Sequence, residues 1–143
     1  MYKILFLILF AGTLWFGLPK VESLIAASAK AQIAETIPTI GLGPFLQLCR
    51  SGNIVIIDMR SKEDYDRSHI KSSLSVHQLD PADGLHSRLG RTRNTVLYSS
   101  GSVNEEMRQY AKALSKQGIQ GVVLYSGGFR EWLAAGLPVE KGE

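Results

Sequence analysis

The chain has 143 residues, enough for one domain with a sizeable core and little more. Charged residues make up 20% of it and the formal net charge is +3, a balance that does not nominate nucleic acid as a partner. Cys49 is the single cysteine, which excludes an intramolecular disulfide.

Met1-Tyr2-Lys3 leads an uncharged apolar run from Ile4 to Leu18, in which Thr13 is the only clearly polar residue. As a helix closed by Pro19 the run would be about 27 Å long, slightly short of a ~30 Å hydrocarbon layer. Tyr2 at one end and Trp15-Phe16 at the other resemble interfacial aromatic anchors. A small-x-small cleavage pattern, Ala27-Ser28-Ala29, lies far beyond the run. Residues 1–19 are therefore read as a transmembrane anchor or uncleaved signal segment. Secretion, or release into the periplasm after cleavage, is the alternative. Lys3 and the amino terminus precede the span, which puts the globular part of a single-pass membrane protein on the non-cytoplasmic, periplasmic or lumenal side. Residues 20–36 are alanine-rich, with Leu24, Ile25, Ala29 and Ile33 at helical spacing, and read as a helical stalk or linker.

The globular domain takes residues 37–143. Pro44 to Arg50 is an apolar-rich helical segment closed by Ser51-Gly52, and Cys49 within it reads as a small buried hydrophobe. A redox or sulfur-carrying thiol would need a basic, partly exposed setting, to which only Arg50 contributes. Ile54-Val55-Ile56-Ile57 before Asp58 reads as a central parallel strand. Ser61 caps a short helix, and Leu74-Ser75-Val76 is a brief strand. Arg88, Arg91 and Arg93 form the tightest basic group, read as a solvated loop because no aromatic residues interleave with them.

Thr95-Val96-Leu97-Tyr98 is the next buried strand. It runs into a loop of small residues, Ser99, Ser100, Gly101, Ser102, Val103 and Asn104. Met107, Ala111 and Leu114 then mark the core face of a helix from about Asn104 to Gln117, stopped at Gly118. Val122 to Tyr125 is another strand, and Phe129 to Ala135 a final short helix ended by Gly136 and Pro138. This alternation predicts an α/β fold, a parallel sheet with helices on both faces.

Three blocks together resemble the rhodanese-like family. Ile56-Ile57-Asp58-Met59-Arg60 with Glu63, Tyr65, His69 and Ile70 looks like its I-D-x-R…E-x-[FY]…H-I pattern. Val96-Leu97-Tyr98 leading into Ser99 is similar to its strand and loop. Gly127-Gly128-Phe129-Arg130-Glu131-Trp132 through Gly136-Leu137-Pro138-Val139 is similar to its G-G-x-x-x-W-x-x-x-G-x-P-V ending. The resemblance covers about residues 37 to 140 and implies a rhodanese-like parallel sheet flanked by helices.

In that family a cysteine opens the loop and accepts sulfur as a persulfide, chemistry that demands a thiolate. Ser99 maps onto that cysteine, and a hydroxyl cannot form the persulfide. The resemblance thus implies no catalytic residue, a degenerate position at Ser99, and no persulfide transfer there. A basic residue often ends the family loop; here Asn104-Glu105-Glu106 stands in its place, and the two carboxylates are expected to disfavour an anionic donor. On that account Ser99→Cys alone should restore little activity.

Asp58, Arg60, His69, Gly127, Gly128 and Trp132 read as structural: turns and ion pairs for the first two, a capping or core-edge histidine, and a tryptophan packed beneath the Gly127-Gly128 turn. No metal-ligand spacing connects His69, His77 and His86, and no cofactor is indicated. No nucleophile-elbow pattern surrounds Ser99, which argues against a serine hydrolase. The amides of the Ser99–Asn104 loop could line a small concavity for an anion. The expected function is a binding or scaffold module, an accessory subunit of a membrane protein complex. The alternatives are a sulfurtransferase or sulfur carrier working through Cys49, and a non-turnover sensor of small anions or sulfur compounds.

Overall fold

β-Branched runs bounded by polar turns set the frame. In the computed structural model, which describes residues 36–79 and 94–142, they form a parallel sheet. Strand β1 (Thr39–Ile40) precedes helix α1 (Leu42–Ser51), and β2 (Ile54–Asp58) is followed by α2 (Lys62–Arg67). Next come β3 (His69–Ile70) and β4 (Leu74–Ser75), with a 3-10 turn at Val76–Gln78. Beyond them lie β5 (Asn94–Tyr98), α3 (Glu105–Lys116), β6 (Val122–Tyr125), α4 (Gly128–Ala134) and β7 (Val139–Glu140). The main sheet has the order β1-β6-β5-β2-β4, every neighbour parallel. β3 and β7 pair antiparallel as a separate ribbon.

Alternation along the strands divides the core between the two faces. Val55 and Ile57 of β2, Leu97 of β5, and Val122 and Leu124 of β6 pack with Met107, Ala111 and Leu114 of α3. The opposite face carries Ile56, Val96, Tyr98 and Tyr125 with Phe45 of α1 and Trp132 of α4. Phe45 holds that cluster together, its ring 4.8 Å from Tyr125 and 5.2 Å from Trp132. Helices thus cover both faces, as the apolar runs predict.

Local signals end the helices where the residue types demand. The Ser61 hydroxyl accepts from the Asp64 amide and the Asn104 side chain from the Met107 amide, closing the first turns of α2 and α3. Gly52 ends α1 in the left-handed conformation. Val76, expected in a strand, opens the 3-10 turn instead, because the Ser75 hydroxyl accepts from the His77 amide and bends the chain there. The last helix runs Gly128–Ala134, one residue earlier than expected at each end. Among the described residues no helix is long and apolar enough to cross a membrane. The apolar segment 1–19, the stalk before Thr36 and the Arg88, Arg91 and Arg93 group lie outside the described residues.

Candidate functional site

The sheet order reverses between β2 and β5: from β2 the chain moves out to β4, and from β5 it moves the other way to β6. Ligands of open parallel sheets sit in the crevice outside such a reversal, at the carboxyl ends of the strands. Two segments meet there. One is Met59–Ser61 after β2, the other the loop from Ser99 after β5, and the Met59 amide donates to the Tyr98 carbonyl at 2.8 Å.

Asp58, the last residue of β2, is fully buried and organises the crevice. Its carboxylate accepts from the Arg60 amide (2.9 Å), Arg60 Nε (3.0 and 3.1 Å to the two oxygens), Arg60 Nη2 (2.6 Å) and the Tyr98 hydroxyl. Nη2 also donates to the Ser68 carbonyl at 2.7 Å. The guanidinium carbon lies 3.9 Å from the centre of the Phe129 ring, a cation–π contact. Burial pulls the Arg60 guanidinium down, the hydrogen bond and charge of Asp58 overcome it, and the net direction is up. Tyr98 meets the Ile70 amide (3.1 Å) and the Ser73 hydroxyl (3.2 Å) as well. Burial, then the neighbouring Asp58 charge, pushes its hydroxyl above the ordinary tyrosine range. Asp58 and Arg60 are the ion pair the motif implied, desolvated and spent on fixing two loops.

The Ser99 loop is held from the other side by α4. The Phe129 amide donates to the Ser99 carbonyl at 2.8 Å and the Arg130 amide to the Ser100 carbonyl at 3.1 Å. Gly128 makes this approach possible. Its φ is +61°, and a Cβ there would fall 2.4–2.7 Å from the carbonyl oxygen, nitrogen and Cα of Gly101. Among the described residues the amides of Ser100, Gly101 and Ser102 donate to no backbone carbonyl. Val103 packs against the core on the α3 side.

Between loop and guanidinium lies an open cleft of about 320 Å³, lined by Arg60, Asp64, Arg67, Ser68, Ser100, Phe129 and Arg130. Arg67 reaches Asp64 at 2.9 Å while remaining largely exposed. The crevice is therefore basic. Glu105 and Glu106, expected to set a negative field beside the loop, are exposed in the first turn of α3 and line no part of this cleft. Glu105 instead accepts from Gln109 one turn along the helix. The arginines come from three separate elements, which is why no local motif announced them.

The remaining predicted residues lie away from the cleft. His69 is buried, its Nδ1 2.9 Å from the Tyr65 carbonyl and its ring stacked 3.8 Å from that of Tyr65. Its Nε2 is 4.0 Å from Glu140, beside a second, polar recess of about 300 Å³ that also includes Lys62, Asp66 and Lys141. Trp132 is buried against Phe45 and donates its indole N–H to the Pro138 carbonyl at 2.9 Å. Gly127 caps α4 ahead of Gly128. Cys49 is half-buried rather than fully buried, and desolvation pushes its thiol up. It lies near the end of α1, before the amino-terminal edge of β2, whereas Ser99 follows the carboxyl end of β5. The two are at opposite edges of the sheet. Among the described residues no group of three His, Cys, Asp or Glu side chains is placed to hold a metal ion.

Comparison with known proteins agrees with this architecture. The profile of the rhodanese-like domain family matches residues 43–135. The HTH-type transcriptional regulator Rv0324 of Mycobacterium tuberculosis is 26% identical over 118 residues, covering 82% of this chain and 51% of that protein. The chain thus spans about half the length of that curated relative. The crystal structure of the BH2092 protein from Bacillus halodurans superposes with a TM-score of 0.62 at 18% identity, over 81% of this chain and 85% of that one. RPA3614 from Rhodopseudomonas palustris, described as a possible tyrosine phosphatase, gives 0.59 at 22% identity, over 87% of this chain and all of that one. With the family profile spanning most of the domain, and the sheet, the Asp58–Arg60 pair and the Gly127-Gly128 turn in place, this chain belongs to the rhodanese-like domain family.

Proposed function

We propose that this chain is a catalytically degenerate rhodanese-like domain, anchored to a membrane by residues 1–19. In this reading it acts as a binding or scaffold module within a membrane protein assembly, with its globular part on the non-cytoplasmic side. The observation that carries this is Ser99: a hydroxyl heads the loop at the carboxyl end of the central strand β5, where persulfide chemistry requires a thiolate. Cys49 does not substitute for it, lying at the opposite edge of the sheet in an apolar setting that raises its thiol. The loop is nonetheless fully built, docked on α4 and opening on a basic cleft, which supports retention of binding without turnover. A relative described as a transcriptional regulator, matched over about half its length, is in keeping with such a domain serving a larger protein.

The test is thiosulfate-to-cyanide sulfur transfer by the full chain in detergent. The expected rate is background. Turnover well above background that disappears in Cys49→Ser would overturn the reading in favour of a sulfur carrier. Intact mass of the protein extracted gently from its membranes tests the anchor. A full-length chain co-migrating with partner subunits is expected, and a soluble form without the apolar segment would refute it.

A further inference from the structure

We infer that the amino-terminal edge of the sheet docks on the anionic lipid headgroups of the membrane that holds residues 1–19. This rests on the anchored reading and names the surface that the domain lays on the bilayer. Three connections meet at that edge: the chain entering β1 through Ile37-Pro38, the turn from α1 to β2, and Gln117–Gly121 leading from α3 into β6. The amides of Asn94 and Thr95 donate to the Asn53 and Gly121 carbonyls, each at 3.1 Å, which ties two of these connections to the start of β5. The edge is cationic. Arg50 stands in the last turn of α1, Lys116 in the last turn of α3 and Lys112 one turn before it, all three exposed. The carboxylates of the described residues lie toward the other edge: at the end of β2, in α2, in the first turn of α3, beside Tyr125 at the end of β6, and on β7. In the linker, Lys20 and Lys30 are matched by Glu22 and Glu35.

The fold itself has little use for these charges. Lys62, Arg67 and Lys71 each meet a carboxylate, whereas Arg50, Lys112 and Lys116 meet none among the described residues. Along α3, Arg108, Lys112 and Lys116 recur every fourth residue on the exposed side, so like charges face one another on successive turns, which weakens a helix. The helix dipole explains a cation in a last turn, Arg50 or Lys116, but neither Lys112 nor the repeat. A negative surface outside the domain turns that repulsion into attraction. Helix α1 covers one face of the sheet and α3 the other, so the cations frame a broad end surface instead of a cleft. Charge spread in this way suits a plane of headgroups better than one small anion. The linker toward residues 1–19 leaves from the same edge, at Thr36, so this edge can meet the bilayer without the linker crossing the domain. An apolar anchor beside a basic surface is the combination of two signals that makes membrane attachment firm.

The full chain, with Cys49→Ser and a fluorophore attached through Gln120→Cys, is reconstituted into phosphatidylcholine vesicles with or without phosphatidylglycerol. Energy transfer to a headgroup-labelled lipid reads how close the edge lies to the surface. Transfer should be stronger with phosphatidylglycerol and fall as salt is added. The ratio of docked to free domain should drop about fivefold in Lys116→Gln, and on the order of a hundredfold in Arg50→Gln/Lys112→Gln/Lys116→Gln. These side chains are exposed, so the thermal melts should not fall. A fluorophore attached through Ser102→Cys, at the opposite edge, should respond little, and Arg130→Gln should leave the Gln120→Cys signal unchanged. Transfer indifferent to lipid charge, undiminished in the triple variant, or equal from both labelled edges would overturn the proposal. Flotation at high salt reports separately on the anchor. A chain that floats there with either vesicle but shows no charge-dependent transfer keeps the anchor and refutes the docked edge. One that floats only with phosphatidylglycerol at low salt refutes the anchor and supports the docked edge.

Discussion

Replacing Gly128 by alanine should unfasten the Ser99 loop, and the structure sets the size of the effect. The residue has a φ of +61°, which an L side chain adopts at a cost of about 1 kcal/mol. Space is the larger problem. The new Cβ would stand 2.4 Å from the Gly101 carbonyl oxygen and 2.6 Å from its nitrogen, both backbone atoms that no rotamer change can move. The loop has to withdraw, and the hydrogen bonds from Phe129 to Ser99 and from Arg130 to Ser100 stretch or break. At about 1 kcal/mol for each bond, the total is about 3 kcal/mol, or roughly 12–24 °C in a domain of this size. Gly136→Ala is the control: its φ is +64°, but nothing lies within 4 Å of its Cβ position, so only the backbone term of about 1 kcal/mol applies. Thermal melts of the full chain, followed by circular dichroism, compare the two. If Gly128→Ala costs no more than Gly136→Ala, the loop is not pinned by this contact and the reasoning fails.

Asp58→Asn removes the carboxylate paired with the buried Arg60 guanidinium and should cost about 3 kcal/mol in urea denaturation, while a loss below about 1 kcal/mol would show that Arg60 is solvated after all. Tyr98 and Tyr125 are held above their unfolded pKa near 10, chiefly by burial, so their contribution is fully present below about pH 10 and lost as pH climbs through the raised folded values. Urea midpoints should therefore fall between about pH 9 and pH 11, and Tyr125→Phe, which loses the Glu131 bond, should flatten that fall. At about pH 7.5 a cysteine placed by Ser99→Cys should react with iodoacetamide about tenfold faster than native Cys49, whose thiol burial pushes up; equal rates in mass spectra would count against a basic, accessible loop.

Elements with enough residues to show a period were legible in the sequence. The β-branched run Ile54–Ile57 and the spacing of Met107, Ala111 and Leu114 each specify a face, and the structure buries those faces as read. Ser61 announced a helix start because its side-chain oxygen has one evident use, the unsatisfied amides of a first turn, and the structure shows Asn104 doing the same for α3. Strands β1, β3 and β7 were not legible. Each has two residues, too few to alternate, and the β3–β7 ribbon joins His69 to Glu140 and Ile70 to Val139 across most of the domain. Long-range pairing of that kind leaves no local trace.

The basic cleft was hidden for a related reason. Sequence reading weighs charges by proximity along the chain, which drew it to Arg88, Arg91 and Arg93 and to Glu105 and Glu106. The fold weighs them by loop geometry and gathers Arg60, Arg67 and Arg130 instead. Arg60 also shows how one side chain can serve the core and line a cleft at once. Its motif with Asp58 marks it as a structural ion pair, and two of its three nitrogens serve that role. The same pairing holds the guanidinium rigid and almost wholly out of water beside the cleft. Asp58→Asn should therefore loosen the segment Met59–Ser61 as well as destabilise the fold. If Asp58→Asn still folds at low temperature, hydrogen exchange of the Met59 and Phe129 amides decides whether the buried pair holds these two segments or only stands behind them.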